Sequence, residues 1–169
     1  GFSREDALFF DIAHEGAQVR AVSQAAHLLA GLYDVQPRSV VVLATDQVAA
    51  AAARAVATFA APLEVPVVVV DVLPAYVGAL DVVVVVGDNA GRETDLRGLL
   101  TAVDRGAETI LAGPNQGPLL EDAPQATTVI PALPDTAGAS PLRTCAVVGA
   151  VLLALRQPAE VAVSYTHLR

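Results

Sequence analysis

Residues 81–88 read Asp-Val-Val-Val-Val-Val-Gly-Asp. Two shorter runs of the same kind precede them, Val40-Val41-Val42-Leu43 and Val67-Val68-Val69-Val70. Continuous β-branched runs read as strands covered on both faces. Such strands belong to parallel sheets sandwiched between helices. Each run leads into an acid: Asp46, Asp71 and Asp88. In open parallel sheets, ligands bind beyond the carboxyl ends of the strands. Any chemistry is therefore expected in residues 44–47, 71–73 and 87–94.

Working outward, helical periodicity places a long helix from about residue 4 to residue 33. Ser3 is its N-cap, and its apolar stripe is Leu8, Ile12, Val19, Val22, Ala26 and Leu29. Strands are predicted at 39–44, 66–71, 81–86, 107–112 and 127–130. Helices are predicted at 47–61, 93–105 and 141–155, with single helical turns after Pro74 and at 119–122. Gly106 suits the residue following a helix, and Pro141 the first turn of one. The alternation gives one α/β domain, a three-layer doubly wound sandwich with a five-stranded parallel sheet of flavodoxin-like type. Val41, Val68 and Val84 are expected to be almost fully buried. The connections are expected to cover both faces of the sheet, so the first helix is expected to pack partly outside its own domain.

The chain has 169 residues, enough for one substantial core. Its net charge of −8 argues against nucleic acid and against anionic membrane surfaces. No apolar run reaches the roughly 20 residues of a membrane span. The single cysteine, Cys145, excludes an internal disulfide and reads as a small buried residue. All ten basic residues are Arg, which fits a GC-rich bacterial coding sequence. No signal peptide is recognisable, and the expected location is cytoplasmic. The segment 163–169, Val-Ser-Tyr-Thr-His-Leu-Arg, departs from the Ala/Val-rich sequence before it. It is expected to be non-native, which leaves residues 1–160 as the domain and 161–169 as a tail.

Several chemistries are disfavoured. His14 and His27 are thirteen residues apart and His167 lies in the tail, so no zinc set can be assembled. A phospho-acceptor site needs an acid pair after the first strand and a Lys after the fifth, and this chain has neither. The first strand is not followed by the glycines of a dinucleotide site. No cofactor or metal is expected. Asp46, Asp71 and Asp88 have two readings: an acidic rim for sugar hydroxyls or a metal, or caps on free helix N–H groups. Asn115 and Gln116 either hydrogen-bond a sugar or form a turn.

The run Glu15-Gly16-Ala17-Gln18-Val19-Arg20, the segment 81–88, and Arg105-Gly106-Ala107-Glu108 leading to residues 113–119 carry a resemblance. Over about residues 3–157 the chain resembles the SIS (sugar isomerase) domains. It is most similar to the N-terminal half of actinobacterial TobH-like phosphoglucose/phosphomannose-isomerase-like proteins. The resemblance implies a domain that binds a sugar phosphate, either as part of an aldose/ketose phosphate isomerase or as a non-catalytic module. It also implies a second half-domain or a homodimer partner, which would carry the catalytic Glu and His.

In that family the phosphate is held by loops after strands one and three, through helix N-termini and small hydroxyl residues. The matching positions here are Thr45 and Asp46, then Asp88, Asn89, Gly91, Arg92 and Thr94. The serines of the family pattern are missing, and Asp88 stands near them. A carboxylate about 5 Å from a phosphate repels it by roughly a kcal/mol or more. Arg92 offsets one such charge and can grip a phosphate with two hydrogen bonds.

Overall fold

The computed structural model describes residues 4–89, 92–133 and 140–156, with side chains from Glu15 onward. Helix α1, Arg4–Ala25, continues as a 3-10 segment, Ala26–Leu32. Then follow β1 (Ser39–Ala44), α2 (Gln47–Phe59), β2 (Val67–Val70), β3 (Asp81–Val86), α3 (Glu93–Asp104) and β4 (Glu108–Ala112). The short α4 (Pro118–Glu121), β5 (Thr128–Val129) and α5 (Pro141–Arg156) complete the order. The proposed cap Ser3, Gly91 and the tail lie outside the described residues.

All five strands are parallel, in the order β2-β1-β3-β4-β5. The chain moves outward from β1 to β2, then crosses back to β3. That reversal puts the switch point between β1 and β3, where α/β sheets leave a crevice. Both central strands are buried at all six positions, as expected of β-branched runs covered twice. Their side chains alternate between two cores. Val40, Val42, Val82, Val84 and Ile110 face α2, α5 and the end of the first helix. Val41, Leu43, Val83, Val85 and Leu111 face α3 and Leu119 of α4.

One expectation fails. Val41 and Val84 are fully buried, but Val68 is 38% exposed. It sits on β2, the edge strand, which has a neighbour on one side only. The carboxyl-terminal part of the first helix packs within its own domain. Its Val22, Leu29 and Leu32 share a core with Val147, Val148 and Val151 of α5. The connection from β2 to β3 contains a single turn after Pro74 and no longer helix. The crossovers therefore give this face of the sheet only α2, and α1 and α5 fill the remainder. Val19 is half-buried, and the side chains of Leu8 and Ile12 lie outside the described ones.

The amino end of the sheet is tied by a buried carboxylate. Asp81 opens β3 opposite Ser39 of β1. It accepts from Arg38 (2.6 Å), from Ser39 Oγ (2.7 Å) and from Gly78 N (2.9 Å). Burial pushes its pKa up, but these donors outweigh that and hold it below the ordinary value.

Candidate functional site

At the carboxyl end of the sheet, residues 44–47 lead from β1 into α2. Asp46 is the N-cap in extended conformation, and its Oδ1 accepts from Ala49 N at 2.8 Å. Its other oxygen, Oδ2, accepts from Asp88 N at 3.0 Å, across the switch point. One carboxylate therefore occupies a helix N-terminus and a backbone donor of the loop after β3. These are the kinds of donor that hold a phosphate in such folds. The close fit depends on Gly87, whose φ is +133°. A Cβ there would lie 2.1 Å from Thr45 Oγ1 and 2.8 Å from Asp46 Oδ2.

Asp88 is committed in turn. Its Oδ2 accepts from Ser140 N at 2.9 Å, which fixes the approach to α5. Ser140 Oγ accepts from Arg143 N at 3.3 Å and caps that helix. Asp46 thus caps a helix and ties two loops, and Asp88 ties the β3 loop to the approach to α5.

Arg92 lies between the loops. Its guanidinium donates to the carbonyls of Thr45 (3.4 Å) and Asp71 (3.3 Å). Its Nε is 3.4 Å from Asp95, a side chain only 1% exposed. Neither carboxylate oxygen of Asp95 has a hydrogen-bond partner. Burial raises its pKa, Arg92 opposes that rise, and the charges of Asp46 and Asp71 add to it.

These residues border a groove of about 620 Å³, lined by Ala44, Asp46, Gln47, Ala50, Arg54, Val69, Val70, Asp71, Val72 and Arg92. That volume falls within the roughly 300–1,000 Å³ usual for small-molecule sites. The groove runs between α2 and the carboxyl half of β2, so it opens on the β1–β2 side of the switch point.

Of the seven residues nominated by the sequence, Asp46 and Arg92 line this groove. Thr45 touches Arg92 through its carbonyl, while its hydroxyl is fully buried without a hydrogen-bond partner. Asp88 and Asn89 follow β3 but are not among the groove's lining residues. Thr94 is exposed in the first turn of α3 and also lies off the groove. Among the described residues, no cluster of three or more His, Cys, Asp or Glu is placed to hold a metal. No helix among them is long and apolar enough to cross a membrane.

Two arginines were missed. Arg54 lines the groove from α2. The signal was available, since Gln47, Ala50 and Arg54 share one helix face by their spacing. Arg143 is 3% exposed and donates to the carbonyls of Ala112 (3.2 Å) and Ile130 (3.3 Å), bracing the ends of β4 and β5. Burial lowers its pKa, partly offset by the charge of Asp88. Its signal was a lone charge on the inner face of an otherwise apolar helical turn. Cys145 is half-buried, and its thiol contacts the Ala52 carbonyl at 3.7 Å. Burial pushes that thiol's pKa up, away from a reactive thiolate.

No family model matches the sequence, and no curated protein matches it. Several solved structures do share its fold. The sugar isomerase domain of the RpiR transcription factor from Sphaerobacter thermophilus superposes with a TM-score of 0.60 at 16% identity, covering 96% of each chain. An Escherichia coli CFT073 protein in complex with a sugar phosphate gives 0.57 at 21% identity, covering 96% of this chain and 94% of that one. A Salmonella typhimurium LT2 protein assigned as a phosphosugar isomerase gives 0.61 at 14% identity. Here the match spans 84% of this chain and 46% of the other. At these identities the likeness shows a shared fold.

Proposed function

We propose that this domain is a phosphosugar-binding module of the sugar isomerase type, seating its ligand in the groove between α2 and β2. The observation that carries this reading is the groove itself. It lies at the carboxyl ends of β1 and β2 and brings Arg54 and Arg92 to one space beside Asp46 and Asp71. Arginines suit a phosphate, and carboxylates suit the hydroxyls of a sugar. The sugar-phosphate complex of the Escherichia coli protein, which has the same fold, supports that ligand class. The resemblance to TobH-like isomerase-related proteins supports a role as the binding half of a larger assembly. The acid and base of an isomerase would then come from a second half-domain or a second copy.

Binding is the property to test. Calorimetric titration with glucose 6-phosphate and mannose 6-phosphate should give saturable heats, and free glucose should bind at least about tenfold more weakly. Filling the groove by Ala50→Phe should abolish both responses while leaving the circular dichroism spectrum unchanged. Absence of phosphosugar binding at millimolar concentration, or full binding by Ala50→Phe, would overturn the proposal.

A further inference from the structure

We propose that the phosphate of the ligand is held by Arg54, two turns along α2, and that the loop end of the groove receives the sugar hydroxyls. This inference rests on the phosphosugar reading above and fixes the ligand's direction in the groove. The first ground is the state of the loops. Asp46 already fills the α2 N-terminus through Ala49 N and holds the Asp88 N–H. A phosphate entering there would displace a carboxylate from two backbone donors and face its charge at short range.

The second ground is the distribution of charge along the groove. Asp46 and Asp71 both line it at the loop end, with Asp95 buried beneath Arg92. The Arg92 guanidinium is spread over two carbonyls and a carboxylate, so its cation is largely answered. Farther along α2 the lining residues are Ala50 and Arg54, neither of them an acid. Arg54 is eight residues beyond the cap, about 12 Å along the helix at 1.5 Å per residue.

The third ground is that Arg54 is unengaged. Arg38, Arg92, Arg97, Arg105, Arg143 and Arg156 each have a side-chain partner. Among the arginines whose side chains are described, Arg54 and Arg20 have none, and only Arg54 of these two lines the groove. A free guanidinium in a polar groove is suited to a phosphate monoester. The carboxylate of Asp71 and the amide of Gln47 then face the polyol.

The test uses the whole chain, with inorganic phosphate, glucose and glucose 6-phosphate as probes. Arg54→Gln should weaken glucose 6-phosphate at least about tenfold and remove inorganic phosphate binding. Asp71→Asn should strengthen inorganic phosphate but lower the preference for the phosphosugar over it. In a nitrogen-correlation NMR titration, inorganic phosphate should shift the amides around Ala50 and Arg54 more than those of Asp88 and Asn89. If Arg54→Gln binds as wild type does and the largest shifts fall on Asp88 and Asn89, the orientation is wrong while the phosphosugar function stands. If wild type binds neither phosphate nor phosphosugar, both fail.

Discussion

Removing the Asp46 carboxylate should loosen the switch point by an amount the structure lets us work out. Asp46→Ala deletes the N-cap bond to Ala49 N, worth about 1 kcal/mol. It also deletes the bond from Asp88 N, a charge-assisted contact worth about 1.5–2 kcal/mol in a half-buried setting. Together these predict a loss of roughly 2.5–3 kcal/mol. For a chain of this length that is a fall of about 6–10 °C in Tm. Asp46→Ser separates the two contributions. The shorter hydroxyl still caps α2 but does not span to Asp88, so it should recover about a third of the loss. Thermal melts at pH 7 give the totals, and amide hydrogen exchange at Asp88 reports the cross-loop bond directly. Asp46→Ala should also bind inorganic phosphate more tightly at the loop, because it vacates both donors. A fall under about 2 °C for Asp46→Ala, or equal damage from Asp46→Ser, would refute the argument that one carboxylate ties both loops.

Asp81→Asn should cost about 2 kcal/mol at pH 7, a figure held down because its partner Arg38 is half exposed. Because the folded-state pKa of Asp81 is depressed, its contribution is complete above the unfolded value of about 3.9 and disappears as pH falls through the lower folded value. Urea midpoints of wild type and variant should therefore converge as pH falls below about 4, and a gap that stays constant would exclude Asp81 as the titrating group. Gly87→Ala should cost about 3 kcal/mol or more, from a positive φ and a collision with Thr45 Oγ1. In the Thr45→Ala background the same change should cost distinctly less in a double-mutant cycle, and strict additivity would show that the collision is relieved elsewhere.

The sheet was legible because its signal is local. Five valines in a row state burial on both faces whatever lies around them. Edge position is not local, and Val68 reads like Val84 until the order β2-β1-β3 is known. The helical layers are not local either. The sequence showed no more than a single turn in residues 71–80, but not that α1 and α5 would share the sheet face beside α2. At the candidate site, the loops after β1 and β3 were located correctly, and their acids were recognised as candidate caps. The partners of those caps were hidden, because Asp46 and Asp88 are 42 residues apart in the chain and Asp88 and Ser140 are 52 apart. Arg143 was hidden in the same way, since its role depends on carbonyls at the ends of two strands.

The valine run of β3 carries little information about its own alignment. A shift of one residue exchanges the two faces of a strand. For Val82–Val86 that exchange would place a valine wherever a valine had been, with both faces still covered. Hydrophobic burial, which fixes alignment in most strands, is nearly indifferent to the slip here. The choice must be made at the ends of the run. Asp81 meets its three donors in one alignment only, and Gly87 fits against Thr45 in the same one. A polar lock at one end and a missing side chain at the other therefore act as the reading frame of the central strand.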